Sequence, residues 1–218
     1  MIRKGEPWGA SFDDERYPEA VEAAGGDVEL AAAVAAHPGT AIRFTPNGAS
    51  DLARALGLRD RPTGNTVLAC DAIELPDGSP AVNAVVLGVP PDQQQRWHRR
   101  HRVQVEVDGR RVADRRALCV VVANGQYLRG FDVVPRGHPG DGRFEVHVYA
   151  LEPRERGPMR HRLTAGRHLP HPDIIESSGR RVTIRFDRAV PWEADGQPRG
   201  TLTEATLGLV PGAVNLIV

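Results

Sequence analysis

The sequence predicts an α+β protein, with a small α/β portion over residues 1–65 and a mostly antiparallel β-sandwich body over 66–218. Helix-type segments and one short strand make up the first part. From residue 66 onward strand-like runs follow one another with turn signals between them. No internal repeat and no low-complexity linker intervenes.

The elements follow in order. "EAVEAA" at 19–24 reads as a helix stopped by Gly25-Gly26. "VELAAAVAA" at 28–36 reads as a second helix, with Asp27 as its N-cap because a carboxylate accepts from the free amides of the first turn. Pro38-Gly39 breaks it, and "TAIRFTP" at 40–46 is a short strand. "SDLARALGL" at 50–58 has Leu52, Ala55 and Leu56 on one side and Arg54 on the other, so it is an amphipathic helix closed near Gly57. Strands are expected at 66–75, 81–89, 102–107, 117–123, 143–150, 181–186 and 213–218. Asp77-Gly78, Asp108-Gly109 and Asp195-Gly196 are hairpin-type turns. Residues 154–172 interrupt the strands with a short helix and a loop.

Composition narrows the function classes. Zero formal net charge argues against a nucleic-acid binder that relies on bulk electrostatics. No apolar run reaches the roughly 18–20 residues that span a bilayer, and the N-terminus has no apolar signal core. Cys70 and Cys119 lie in apolar strand-like runs, as expected of buried thiols in a cytoplasmic protein. Two stretches are rich in histidine, with His98 and His101 in one and His161, His168 and His171 in the other; neither has a clear third ligand for zinc. "RWHRRHR" at 96–102 is either a solvated loop or a surface where Arg96, Arg99, Arg100 and Arg102 meet anionic lipid with Trp97 at the interface.

Five segments carry a resemblance: "GGD" at 25–27, "FTPNGASDLARALGL" at 44–58, "VVVANGQYLRGFDVVPRGHPGDGRFEV" at 120–146, "ADGQPRG" at 194–200 and "LVPGAVNLIV" at 209–218. In that order they resemble the diacylglycerol and sphingosine kinases and related bacterial lipid kinases. The resemblance covers residues 25–218. It implies a nucleotide cleft between an α/β domain and a sandwich, and ATP- and Mg²⁺-dependent phosphorylation of a lipid hydroxyl. It places Gly25, Gly26, Asp27, Pro46, Gly48 and Asp51 at the nucleotide, Asp195 and Gln197 at the catalytic position and Asp141 at a structural metal.

The residues themselves leave alternatives open. Asp27 is an N-cap or a relic of a phosphate loop, and Asp51 is a first-turn helix stabiliser or a site residue. Asp141 is a metal ligand or part of a plain turn, and Gly166-Arg167-His168 matches an inherited loop element. Asp195 is a turn residue or a ligand of the metal-nucleotide.

The departures from the family pattern point away from catalysis. Only 24 residues precede Gly25, where the family places two or more β/α units, so a shortened nucleotide domain is expected. Val28 and Glu29 replace the Gly-Thr that lets phosphate approach, and Glu29 adds a negative charge there. The loop at 46–51 is one residue shorter than the family's and lacks its Thr. The insertion near 90–102 is also much shorter. Gln197 stands where the family has Glu, and a carboxamide is no proton acceptor near neutral pH. The expectation is an impaired or inactive lipid kinase, a pseudokinase. It would be cytoplasmic or peripheral to a membrane, and would bind a lipid, a nucleotide or a partner. The competing expectation is a non-catalytic, oligomerising scaffold.

Overall fold

The computed structural model describes residues 8–11, 20–58 and 66–218. The elements are β1 (Ala10–Ser11), β2 (Val21–Gly25), α1 (Asp27–Ala36), β3 (Ala41–Pro46) and α2 (Asp51–Leu56), then β4 (Thr66–Glu74), β5 (Pro80–Ala81) and β6 (Ala84–Gly88). A 3₁₀ turn at Pro91–Gln93 leads to β7 (His101–Val107), β8 (Arg110–Ala117), β9 (Cys119–Ala123), β10 (Tyr127–Leu128), β11 (Phe131–Asp132) and β12 (Phe144–Tyr149). Last come α3 (Arg156–Leu163), β13 (Ile174–Gly179), β14 (Arg181–Ala194) and β15 (Gln197–Ile217).

Two long strands organise the sandwich. β14 pairs with β7 through Val182–Phe186 and with β6 through Trp192–Ala194. Its register shifts between Arg185 and Val190, so one strand serves both layers. β15 pairs with β14, then with β4, and its end runs parallel to β3. The core lies between the layers. Val85, Leu87, Val120, Val122, Phe144 and Val146 from β6, β9 and β12 meet Val103, Val105, Val182, Ile184 and Leu207 from β7, β14 and β15. A second core lies on the outer face of β6, β9 and β12, where Met159 and Leu163 of α3 cover Val121 and Tyr149. A third core packs Leu30 and Val34 of α1 and Leu52 of α2 against Ile42, Phe44, Leu68, Cys70 and Leu216. Cys70 and Cys119 are free, buried thiols.

Several expectations need correction. Val21–Gly25 is a strand, not the helix expected at 19–24 (Glu19 lies outside the described residues). Its backbone pairs in parallel with β3, from Val21 with Ile42 to Gly25 with Pro46, and those bonds override the helix propensity of Ala and Glu. Asp27 is the first residue of α1; Gly26 is the N-cap. β8 is an arginine-rich strand without an apolar run to betray it, held by full antiparallel pairing with β7. β13 likewise forms by pairing along all of β12. Asp108 (φ 48°) and Gly109 (φ 77°) make the expected hairpin turn between β7 and β8. Among the described residues no helix is long and apolar enough to cross a membrane.

Candidate functional site

A cleft of about 380 Å³ opens where α1, α2 and the β14–β15 turn converge. It gathers Asp27, Gly48, Asp51 and Asp195 from the expected site, together with Arg54, Asn83, Arg129 and Gly130.

The three carboxylates share one structural habit: each holds a backbone segment other than its own. Asp27 caps α2, not α1. Its side chain accepts from Ser50 Oγ (2.5 Å), the Asp51 amide (3.1 Å) and the Leu52 amide (3.3 Å). Ser50 is the N-cap of α2, and its Oγ accepts from the Ala53 amide at 2.9 Å. Asp51 in turn accepts from the amides of Arg129 and Gly130, the latter at 2.8 Å. Asp195 accepts from the amides of Val82 (2.8 Å), Asn83 (2.9 Å) and Ala84 (3.0 Å). Asp195 (φ 50°) and Gly196 (φ 78°) form a two-residue turn of the twist that hairpins favour, closing β14 onto β15 with Ala194 opposite Gln197.

Burial raises all three carboxyl groups, and like charge adds to it at Asp27. Asp27 is only 5% exposed. Its pKa is pushed from 3.8 to about 7, first by burial and next by the charge of Asp195. Asp195 rises to about 6 through burial, against the pull of its three amides. Asp51 is raised by burial, with the Gly130 and Arg129 amides opposing. Arg129 compensates elsewhere: its guanidinium pairs with Asp92 at 3.1 Å and with Glu193. Arg54 lies 5.5 Å from the centre of the Tyr127 ring and pairs with no carboxylate among the described residues. The cleft thus sets carboxylate acceptors beside the guanidinium of Arg54.

The remaining expected residues fall outside the cleft. Gly25 and Pro46 end the paired strands β2 and β3. Gly26 donates its amide to Glu29 Oε2 at 2.7 Å, so the carboxylate of α1's own first turn occupies the Gly25-Gly26 loop. A side chain on Gly25 would lie 2.7 Å from that of Glu29, so glycine is what lets it fold over. Gln197 lines an adjoining cavity of about 120 Å³ with Val28, Ala31 and Arg199, and only Asp195 is shared with the cleft. Asp141 pairs with Arg143 at 3.1 Å. The carboxylate that organises the Asp141 turn is the buried Asp71, which accepts from Gly142 (2.8 Å) and from Gly212 in the bulge of β15 (2.9 Å). Among the described residues no three His, Cys, Asp or Glu side chains converge as a metal-binding group. His168 is buried and hydrogen-bonds the Val133 carbonyl at 2.9 Å. Sequence reasoning missed Asp71, Asn83 and Arg129, whose roles exist only through long-range contacts.

Comparison with known proteins places this architecture. No curated protein matches the chain in sequence. A diacylglycerol kinase from Bacillus anthracis strain Sterne is similar in structure, with a TM-score of 0.73 and 17% identity over 91% of this chain and 75% of that one. The yeast NADH kinase, solved with NADH, is similar at a TM-score of 0.51 and 12% identity, over 92% of this chain and 62% of that one. At these identities the likeness is one of fold. Residues 93–218, more than half of the chain, match the family model of the YegS C-terminal NAD kinase beta sandwich-like domain, and the chain belongs to that family.

Proposed function

We propose that the protein is a diacylglycerol kinase-like protein that binds the hydroxyl-bearing headgroup of a lipid in its acidic cleft and does not transfer phosphate. One observation carries this reading: the Glu29 carboxylate is bonded to the Gly26 amide, in the loop where a nucleotide phosphate would have to sit. An internal anion in that place competes with a phosphate by both occupancy and charge. Two further features agree. Gln197 offers no base and faces the side cavity. The three cleft carboxylates are engaged with backbone amides, so they do not form a ready seat for Mg²⁺. Those amide bonds also give each acid a structural role that needs no catalysis, since each ties a wall of the cleft in place.

Thermal shift with ATP and Mg²⁺, set beside micellar diacylglycerol, tests the reading. Stabilisation by the lipid alone is expected. Stabilisation by ATP and Mg²⁺ that is already maximal in the wild type would overturn it.

A further inference from the structure

The loop joining the 3₁₀ turn to β7 is built around an arginine. Gln95–His98 form a tight turn, closed by the His98 amide on the Gln95 carbonyl (3.2 Å) and by the Gln95 amide on His98 Nδ1 (2.9 Å). Arg156 of α3, 2% exposed, reaches beneath it. Its Nη1 donates to the carbonyls of Gln95 (2.8 Å), Arg96 (3.0 Å) and His98 (2.8 Å), while Nε and Nη2 donate to the Leu151 carbonyl. The buried Gln94 pins the preceding residue to the Val89 carbonyl and Cys119 Sγ. At the tip of this fixed turn stands Trp97, 75% exposed and the most exposed large hydrophobic residue among those described.

Charge surrounds the tip. Arg100 pairs with Glu152 and Arg102 with Asp114, so neither is free. Arg96 and Arg99 are exposed and pair with no carboxylate among the described residues. Arg160 is also exposed, one turn beyond Arg156 on α3. A protein that holds a tryptophan in water at such structural expense, flanked by free guanidinium groups, presents the two features that bind a bilayer surface: an amphipathic ring for the headgroup layer and cations for anionic lipid.

We infer that the Gln95–His98 turn, with Trp97 at its tip and Arg96 and Arg99 beside it, docks the protein on an anionic lipid bilayer. Pre-organisation by Arg156 removes the ordering cost that a floppy loop would meet on binding. The turn is also coupled to the cleft. Asp92, in the 3₁₀ turn that leads into it, holds the cleft-lining Arg129 at 3.1 Å. The inference does not depend on the headgroup reading, because it concerns the bilayer surface alone.

The test is co-sedimentation with vesicles of phosphatidylcholine alone and of phosphatidylcholine mixed with phosphatidylglycerol, neither containing diacylglycerol. Binding to the anionic vesicles only is expected, with a blue shift of tryptophan emission that is absent in Trp97→Ala. Arg96→Ala and Arg99→Ala should each weaken binding ~5-fold, the effect of about one surface charge. All three residues are exposed, so folding is preserved and checked by circular dichroism. Equal binding to both vesicle types would overturn the inference, as would no binding or no change in the variants. Displacement by soluble glycerol 3-phosphate would also overturn it, since that marks a headgroup pocket and not a bilayer surface.

Discussion

Asp27→Asn should reverse the order of stability between acid and alkaline pH. The folded protein holds the Asp27 proton up to a pH of about 7, whereas an unfolded aspartate loses it near 3.8. Between those values the native chain binds the extra proton, so its stability falls as pH rises. The interval is about 3 pH units, and at roughly 1.4 kcal/mol per unit it costs the wild type on the order of 3–4 kcal/mol between pH 4 and 7. Asparagine carries no such penalty. It does keep only one acceptor oxygen, so the amide of Asp51 or of Leu52 at the start of α2 is left unpaired. That loss is about 1–2 kcal/mol and independent of pH. The variant is therefore expected to be the less stable protein at about pH 4 and the more stable one at about pH 8. Urea unfolding across this range, with the slope against urea unchanged, measures the difference directly. Parallel pH curves for the two proteins would refute the raised pKa of Asp27, and equal stability at about pH 4 would refute its role as a cap for α2.

Other substitutions probe the remaining ties. Glu29→Gly removes the internal anion from the Gly25-Gly26 loop and half of α1's cap, so stability should drop by ~1–2 kcal/mol while ATP and Mg²⁺ gain a measurable thermal shift. Gly196→Ala meets nothing within 4 Å, so the φ of 78° alone should cost ~1 kcal/mol in chemical unfolding. Arg156→Met leaves the carbonyls of Arg96, His98 and Leu151 without a donor and should destabilise by about 3 kcal/mol. It should also make the Gln95–His98 turn open to proteolysis.

Much of the sandwich is legible in the sequence because strand signals are local. Alternating apolar residues mark β7, and a continuous valine run marks the doubly covered β9. The Asp-Gly pairs at 108–109 and 195–196 announce their turns for the same reason. Val21–Gly25 was not legible: its Ala and Glu favour a helix, and only the partner strand β3 decides otherwise. The cleft is half legible. Its acids stand in recognisable places, yet nothing local says that Asp27 would cap a helix that begins 24 residues later, or that Asp51 would hold Gly130. Glu29 is the instructive case, because the charge that the sequence sets beside Gly25-Gly26 turns back onto the Gly26 amide, a bond that only the folded loop reveals.

Transfer of labelled phosphate from ATP to diacylglycerol, in the presence of Mg²⁺, is the most direct measurement. The wild type is expected to yield no product, and neither should Gln197→Glu, because restoring a carboxylate in the side cavity leaves the Gly25-Gly26 loop occupied by Glu29. Phosphatidic acid formed by the wild-type protein would contradict the proposed function outright. Product from Gln197→Glu alone would show that the missing base, and not the filled loop, is what silences the cleft.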